Sequence, residues 1–450
     1  MINEFRYLPD TEQDQAEMME ALEIHSIDEL FKDIPEEIRL KEELVLPDAV
    51  SESALTKHLR KLAALNVHSH EAAVFLGAGT YDHYIPSVVD HVISRSEFYT
   101  AYTPYQPEAS QGELQAIFEF QTMITELTGM EAANSSLYDG FTSLGEAANL
   151  AVVTTKRPKV VVSKGVHPQG REVLQSVSKG REFQLEEIPL AVDTTDLSQL
   201  ESAVDEQTAA VIVQYPNFLG SIEDLQKVKE MAVNQKALFI VMANPLALGV
   251  LESPGKFGAD IVVGDMQPLG LTMSAGGPHC GYFTVNKKHL RKIPGRIIGQ
   301  TTDKEGKRGF VMTLQTREQH IRREKATSNM SSNQALNALA SAVCMAALGK
   351  NGIQEMAQLN VEKADYLANQ LRSKGFKIVN QAPFFNEFAV ELKHSVKEVS
   401  AVLLEKGIIG GYDLEPEYGT KNTMLLCATD QRTKEEMDTL VSVLEEIAYE

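Results

Sequence analysis

The stretch from Phe257 to Val285, FGADIVVGDMQPLGLTMSAGGPHCGYFTV, constrains the fold of this chain more than any other. Residues 260–264 read as one interior strand and 281–285 as a second, because short apolar runs bounded by Gly and Pro mark the buried strands of an α/β sheet. In an open sheet of that kind, ligands sit beyond the carboxyl ends of the strands, so chemistry is expected in the loop after Gly264. That loop carries Asp265, Gln267, Pro268, Ser274 and His279, and no lysine occurs between Lys256 and Lys287.

The surrounding chain alternates in the same way. Strands are expected at 159–163, 210–214 and 237–242, with helices at 112–128, 142–153 and 222–233. Gly129 is placed to stop the first helix. This pattern predicts an α/β fold with a mixed, mostly parallel sheet, housed in a large domain at 66–330. Before it, residues 1–65 read as a helical arm. Thr11 with Asp14 and Ser26 with Glu29 have capping-box spacing, and a charged helix follows at 53–65. After it, residues 331–450 predict a small α+β domain. Its helices are expected at 332–348, 353–374, 396–406 and 434–449, and its strands at 377–379, 387–391 and 423–427. The segment 295–328, dense in Arg, Lys and turn residues, reads as a loop crossing a surface.

Charge narrows the partners. With 42 Lys+Arg against 63 Asp+Glu the chain carries −21, which argues against nucleic acid or an anionic membrane as its main target. No run of 18 apolar residues occurs, and the acidic start has no apolar leader segment, so a cytoplasmic location is expected. Cys280, Cys344 and Cys427 are far apart, with no CxxC spacing, and read as buried thiols in a reducing compartment.

Several constellations carry alternatives. His68-x-His70 has the form of a metal-binding pair, but no further ligands appear at suitable spacing, and no metal is expected. Gly-rich phosphate loops and a nucleophile elbow are both missing from the sequence. Asn134-Ser135-Ser136, ahead of a helix, reads either as an anion cradle or as a helix cap. Tyr99, Tyr102, Tyr105 and Gln106 read as a pocket lining or as ordinary packing. The basic run Arg317, His320, Arg322, Arg323 and Lys325 reads as a clamp for a carboxylate or acidic partner, or as a solvated face.

Six stretches together resemble one family. They are Arg6-Tyr7-Leu8-Pro9, FLGAGTYDHYIPSVV from Phe75, FYTAYTPYQPEASQGELQ from Phe98, ANSSLYDG from Ala133, QPLGLTMSAGGPHCGYF from Gln267, and LQTREQHIRREKATSN from Leu314. The chain resembles the P-proteins of the glycine cleavage system, glycine dehydrogenase (decarboxylating), and in particular subunit 1 of the two-chain bacterial form. That resemblance implies a fold-type-I pyridoxal-phosphate (PLP) architecture. It also implies an enzyme that decarboxylates glycine on PLP and passes the aminomethyl carbon to the lipoyl arm of the H-protein.

An enzyme of this kind needs a lysine after a late strand to bond the coenzyme aldehyde, and an acid facing its ring nitrogen. Here Asp265-Met266-Gln267-Pro268-Leu269 stands where the lysine belongs, and the preceding strand ends Val241-Met242-Ala243-Asn244. The expectation is therefore a subunit with no covalently bound cofactor and no catalytic residue of its own. It would be completed by a lysine-bearing subunit 2 in a dimer of heterodimers. Wall or interface candidates are Tyr102, Tyr105, Gln106, Ser110, Gln111, Asn134, Ser135, Ser136, Arg317, His320 and Arg322. The alternatives are a self-sufficient PLP enzyme with a displaced lysine, a non-catalytic scaffold, or a metal hydrolase using His68 and His70.

Overall fold

The computed structural model describes residues 10–42, 44–69, 71–315, 319–330 and 332–449, and the chain divides into two compact units, Met1–Asn66 and Val67–Glu450. In the first, the helix Glu12–Ala21 begins with the expected capping box between Thr11 and Asp14, and Ser51 caps the helix Glu52–Ala63. The second expected box does not form. Residues Ile27–Phe31 make a 3-10 turn without a side-chain cap, and Glu29 instead accepts the backbone N–H of His25 at 2.8 Å. No described residue of this unit is buried.

The second unit is built on seven strands: β1 (Ala132–Ala133), β2 (Lys159–Ser163), β3 (Gln184–Ile188), β4 (Thr208–Tyr215), β5 (Leu238–Ala243), β6 (Ile261–Asp265) and β7 (Gly281–Val285). They lie in the order β1-β7-β6-β5-β4-β2-β3, with β7 antiparallel to both neighbours and β2 to β6 parallel. The expected mixed, mostly parallel sheet is thus present. Central strands such as LFIVMA in β5 are buried throughout, as strands covered on both faces must be. Alternation sorts their side chains into two layers. Val161, Val211, Val213, Phe239 and Val241 face one core, while Val160, Val162, Ile212 and Ile240 face the other. Burying a side chain such as Phe239 contributes on the order of 2–3 kcal/mol.

Helix α1 (Gln111–Thr128) lies against the first core through Phe120 and Ile124, and ends at Gly129 with φ 68°, a left-handed cap that glycine adopts without penalty. Helices α2 (Gly140–Thr155) and α3 (Pro168–Arg181) cover the second core through Leu144, Leu150 and Leu174. From β2 the chain moves outward to β3 and then returns to β4 on the other side of β2. This reversal opens a crevice at the carboxyl ends of β2 and β4.

Residues 295–328 are not simply a loop. They contain an antiparallel hairpin, β8 (Ile297–Thr302) and β9 (Arg308–Thr313), closed by Asp303, whose Oδ1 accepts the N–H groups of Glu305 and Lys307. Its buried Ile298 and Phe310 pack with Leu114 and Ile117 of α1. The two helices expected at 332–348 and 353–374 are both present, as the two halves of α4 (Ala335–Ser373), which breaks between them at Gly349, where φ is 59° and ψ −176°. Beyond it, an antiparallel sheet of β10 (Lys377–Ile378), β11 (Glu387–Glu391), β12 (Tyr412–Asp413) and β13 (Thr423–Cys427), in the order β10-β11-β13-β12, packs against α4, α5 (Val396–Glu405) and α6 (Lys434–Tyr449).

Candidate ligand cavity

A cavity of about 500 Å³ opens at the carboxyl ends of the parallel strands. Gln214 of β4, Asn244 just past β5, and Asp265 and Pro268 at the end of β6 form one side. Tyr138, Asp139 and Phe141 approach from the start of α2, His167 from the start of α3, and residues 78–81 and 275–279 close the rim.

The amino end of α2 is held by two carboxylates. Asp139 is the N-cap: its Oδ1 accepts the Thr142 N–H at 2.7 Å and its Oδ2 the Thr142 hydroxyl at 3.0 Å. Asp265 reaches across from β6, where its Oδ2 accepts the Gly140 N–H at 2.9 Å and its Oδ1 the Gln267 N–H at 2.9 Å. A side chain at Gly140 would place its Cβ 3.0 Å from the Asp265 backbone nitrogen, so glycine is what lets the strand end approach the helix. The His279 Nδ1 lies 3.5 Å from Asp265 Oδ2. Burial opposes charging of that imidazole, but Asp265, with Asp139 behind it, more than offsets this and raises the His279 pKa above its ordinary value.

His167 behaves in the opposite way. Its ring lies 4.6 Å from those of Phe141 and Phe218, and burial, reinforced by Arg171, pushes its pKa down to about 4. The Ala78 carbonyl oxygen is 2.9 Å from Nε2, and the Gln169 N–H points at Nδ1 from 3.2 Å. The proton therefore sits on Nε2, and near neutral pH the wall presents an uncharged imidazole.

Of the loop residues named from sequence, Asp265, Pro268 and His279 line the cavity. Gln267 lies behind it, buried: its Oε1 accepts the Tyr81 N–H, while its Nε2 donates to the carbonyls of Tyr81 and Leu271. Ser274 is exposed. Asn134, Ser135 and Ser136 are buried upstream of the helix, whose cap is Asp139 and not this trio. Asn134 Nδ2 donates to the Pro294 carbonyl at 3.0 Å, and Ser136 Oγ accepts Asn333 Nδ2 at 3.0 Å and the Gln334 N–H at 3.2 Å. Ser110 precedes α1 without a side-chain cap, and Gln111 exchanges two 2.8 Å hydrogen bonds with the Phe310 backbone.

Tyr102, Gln106, His320 and Arg322 are exposed, as is Tyr105. Tyr105 and His320 meet at a second cavity of about 480 Å³, beside Arg323 and Arg296, whose guanidinium carbon is 5.8 Å from the Tyr105 ring centre. Arg317 and His70 lie outside the described residues. His68 pairs with Glu71 at 3.5 Å, and the described residues contain no cluster suited to a metal ion. All three cysteines are buried, and burial raises their thiol pKa values, that of Cys344 to about 12.

Sequence reading missed His167, Gln214, Tyr138 and Asp139. Only His167 left a local signal, a His-Pro pair shortly after an apolar strand, where proline opens a helix.

The family model described as "Glycine cleavage system P-protein" matches residues 5–444. The chain belongs to the P-protein family. Among this P-protein's relatives, the "Probable glycine dehydrogenase (decarboxylating) subunit 1" of Bacillus cereus (strain ATCC 10987 / NRS 248) is 59% identical, over 97% of this chain and 98% of its own. The protein of the same description from Bacillus cytotoxicus is 60% identical over the same shares. A crystal structure of glycine decarboxylase (P-protein) in inhibitor-bound form superimposes with a TM-score of 0.90 at 45% identity, covering 98% of this chain and all of that one. A glutamate decarboxylase from Lactobacillus brevis, with a TM-score of 0.69 at 12% identity, shares the fold alone.

Proposed function

We propose that this P-protein chain is the coenzyme-free subunit of a two-chain glycine decarboxylase. The complete enzyme would decarboxylate glycine and hand the aminomethyl group to the lipoyl arm of the H-protein, with PLP held by a lysine-bearing partner subunit. The observation that carries this reading is the composition of the cavity. A site for PLP in this architecture needs an amine to bond the aldehyde and an acid to keep the ring nitrogen protonated. The described residues lining the cavity include no lysine, Pro268 lies where the β6 loop enters it, the residue beyond β5 is Asn244, an uncharged amide, and the two lining carboxylates, Asp139 and Asp265, are committed to backbone N–H groups. The residues present do not fit the coenzyme.

A partner is supported from two directions. On the helix Glu52–Ala63, Leu55, Leu59 and Leu62 share one face and are 45%, 54% and 47% exposed, an apolar stripe that this unit does not bury itself. Tyr102, Tyr105, Gln106, His320 and Arg322 are all exposed, and Tyr and Arg are among the residues enriched where proteins meet. We assign these five to the face toward subunit 2 or the H-protein, in a dimer of heterodimers.

The test is co-purification with the lysine-bearing subunit, followed by glycine-dependent CO2 exchange with each chain alone and with the mixture. Exchange is expected only from the mixture. Coenzyme covalently attached to this chain, or exchange by this chain alone, overturns the proposal.

A further inference from the structure

The amino end of a helix attracts phosphate because its first N–H groups have no partner within the helix and the backbone dipoles add there. The 16-residue helix α2 presents such an end to the cavity, at the carboxyl edge of the sheet where a phosphorylated ligand would be seated. Two of those donors are already engaged by carboxylates. The Gly140 N–H is bonded to Asp265 Oδ2 at 2.9 Å and the Thr142 N–H to Asp139 Oδ1 at 2.7 Å.

We infer that Asp265, the last residue of β6, fills the anion cradle of α2 from within the chain, so that the cavity rejects phosphorylated ligands. This deepens the coenzyme-free reading and rests on it. Asp139 alone is an ordinary N-cap; Asp265 is the unusual member, since it arrives from a strand 125 residues away. Its position is fixed from both sides, by the Gly140 N–H on one oxygen and the Gln267 N–H on the other. The absence of a side chain at Gly140 makes room for it. A phosphate entering this end would have to displace one carboxylate and would still face the second. His279 cannot reverse the balance, because its Nδ1 is directed to Asp265 Oδ2. What remains for a ligand is largely neutral: the amides of Gln214 and Asn244, the uncharged ring of His167, and the buried Nε2 of His279, whose charge is balanced by Asp265 on the other side of the ring.

The experiment uses the full chain and three probes, inorganic phosphate, pyridoxal 5′-phosphate and unphosphorylated pyridoxal, in equilibrium dialysis against wild type, Asp265→Ala and Asp265→Asn. Wild type is expected to retain no phosphate at millimolar concentration and to show no preference for the phosphorylated pyridoxal. Asp265→Ala should bind phosphate at least tenfold more tightly than wild type and prefer the phosphorylated probe. Asp265→Asn, which keeps an acceptor but loses the charge, should fall between them and carries the test if the alanine variant fails to fold. In parallel, the imidazole NMR titration of His279 should move to lower pH in both variants, and phosphate should shift its resonances only in the variants. Unchanged phosphate affinity in the variants, or phosphate perturbing His279 in wild type, overturns the inference. Failure of the subunit reading would appear separately, as CO2 exchange by this chain without a partner.

Discussion

The Glu387 carboxylate joins Tyr81 across 306 residues of chain: its Oε2 accepts the Tyr81 hydroxyl at 2.9 Å, while its Oε1 accepts the Ala78 N–H at 2.6 Å. The first strand residue of β11 is thereby tied to the segment that forms one rim of the cavity. Burial pushes the Glu387 pKa up to about 7, against an ordinary 4.5, and the same burial carries the Tyr81 hydroxyl well above its ordinary range. The rim therefore depends on a buried acid that titrates near neutrality.

Glu387 and His167 should give opposite pH dependences of stability. Folded Glu387 holds its proton more tightly than in the unfolded chain, so its contribution falls as pH rises from 4.5 to about 7. Folded His167, depressed from 6.5 to about 4, resists protonation, so its contribution falls as pH drops through that window. Each effect is on the order of 3 kcal/mol, and in wild type they largely cancel between pH 4.5 and 6.5. Glu387→Gln should thus gain stability with rising pH across 4–6.5, and His167→Phe should lose it across 4.5–7. Urea titrations from pH 4 to 7.5 measure both. Profiles parallel to wild type in both variants would rule out the pair as the source.

Gly220 turns the chain after β4, and a Cβ there would lie 1.9 Å from the Glu387 carbonyl oxygen, with φ at +82°. That oxygen and the Glu387 carbonyl carbon, which would be 2.5 Å away, are backbone atoms, so relief requires backbone movement. Gly220→Ala is expected to cost about 3 kcal/mol or more. It should also loosen the 217–221 turn, read by faster amide exchange at Phe385, whose N–H donates to the Gly220 carbonyl at 3.2 Å. A variant as stable as wild type would show that the turn tolerates the shift.

How much of this was legible in advance follows from which forces are local. Strands β2, β4, β5 and β6 announced themselves because strands covered on both faces are continuous apolar runs. Strand β3, QLEEI, did not, since it lies at the sheet edge with two glutamates exposed among its five residues. The hairpin β8–β9 was hidden by Arg308 and the surrounding lysines, although Ile298 and Phe310 keep their inward positions. In the cavity, Asp265, Pro268 and His279 were visible as the irregular interval between two apolar strands. Residues 78–81, His167 and Gln214 were not, because what unites them is contact between distant segments, which leaves no periodicity in the sequence.

Gln267 illustrates such a contact and can be tested directly. A volume-conserving Gln267→Met would leave the Tyr81 N–H and the carbonyls of Tyr81 and Leu271 without their buried partner. That should cost about 2–4 kcal/mol, more than the same replacement at an exposed glutamine such as Gln106. Equal melting temperatures for the two variants would mean that water takes over the lost bonds.

Arg322 separates folding from assembly. It is exposed, in the short helix Gln319–Arg322, on a chain of net charge −21. Reversing it should leave the isolated chain within about 0.5 kcal/mol of wild type, since no buried contact is removed. If this basic segment meets an acidic partner surface, Arg322→Glu should weaken association with the lysine-bearing subunit or the H-protein at least tenfold at low salt. The deficit should shrink as salt screens the added repulsion. Association rates measured at two ionic strengths distinguish the cases. An unchanged rate at low salt would remove Arg322 from the interface and leave Tyr102, Tyr105, Gln106 and His320 as the remaining exposed candidates.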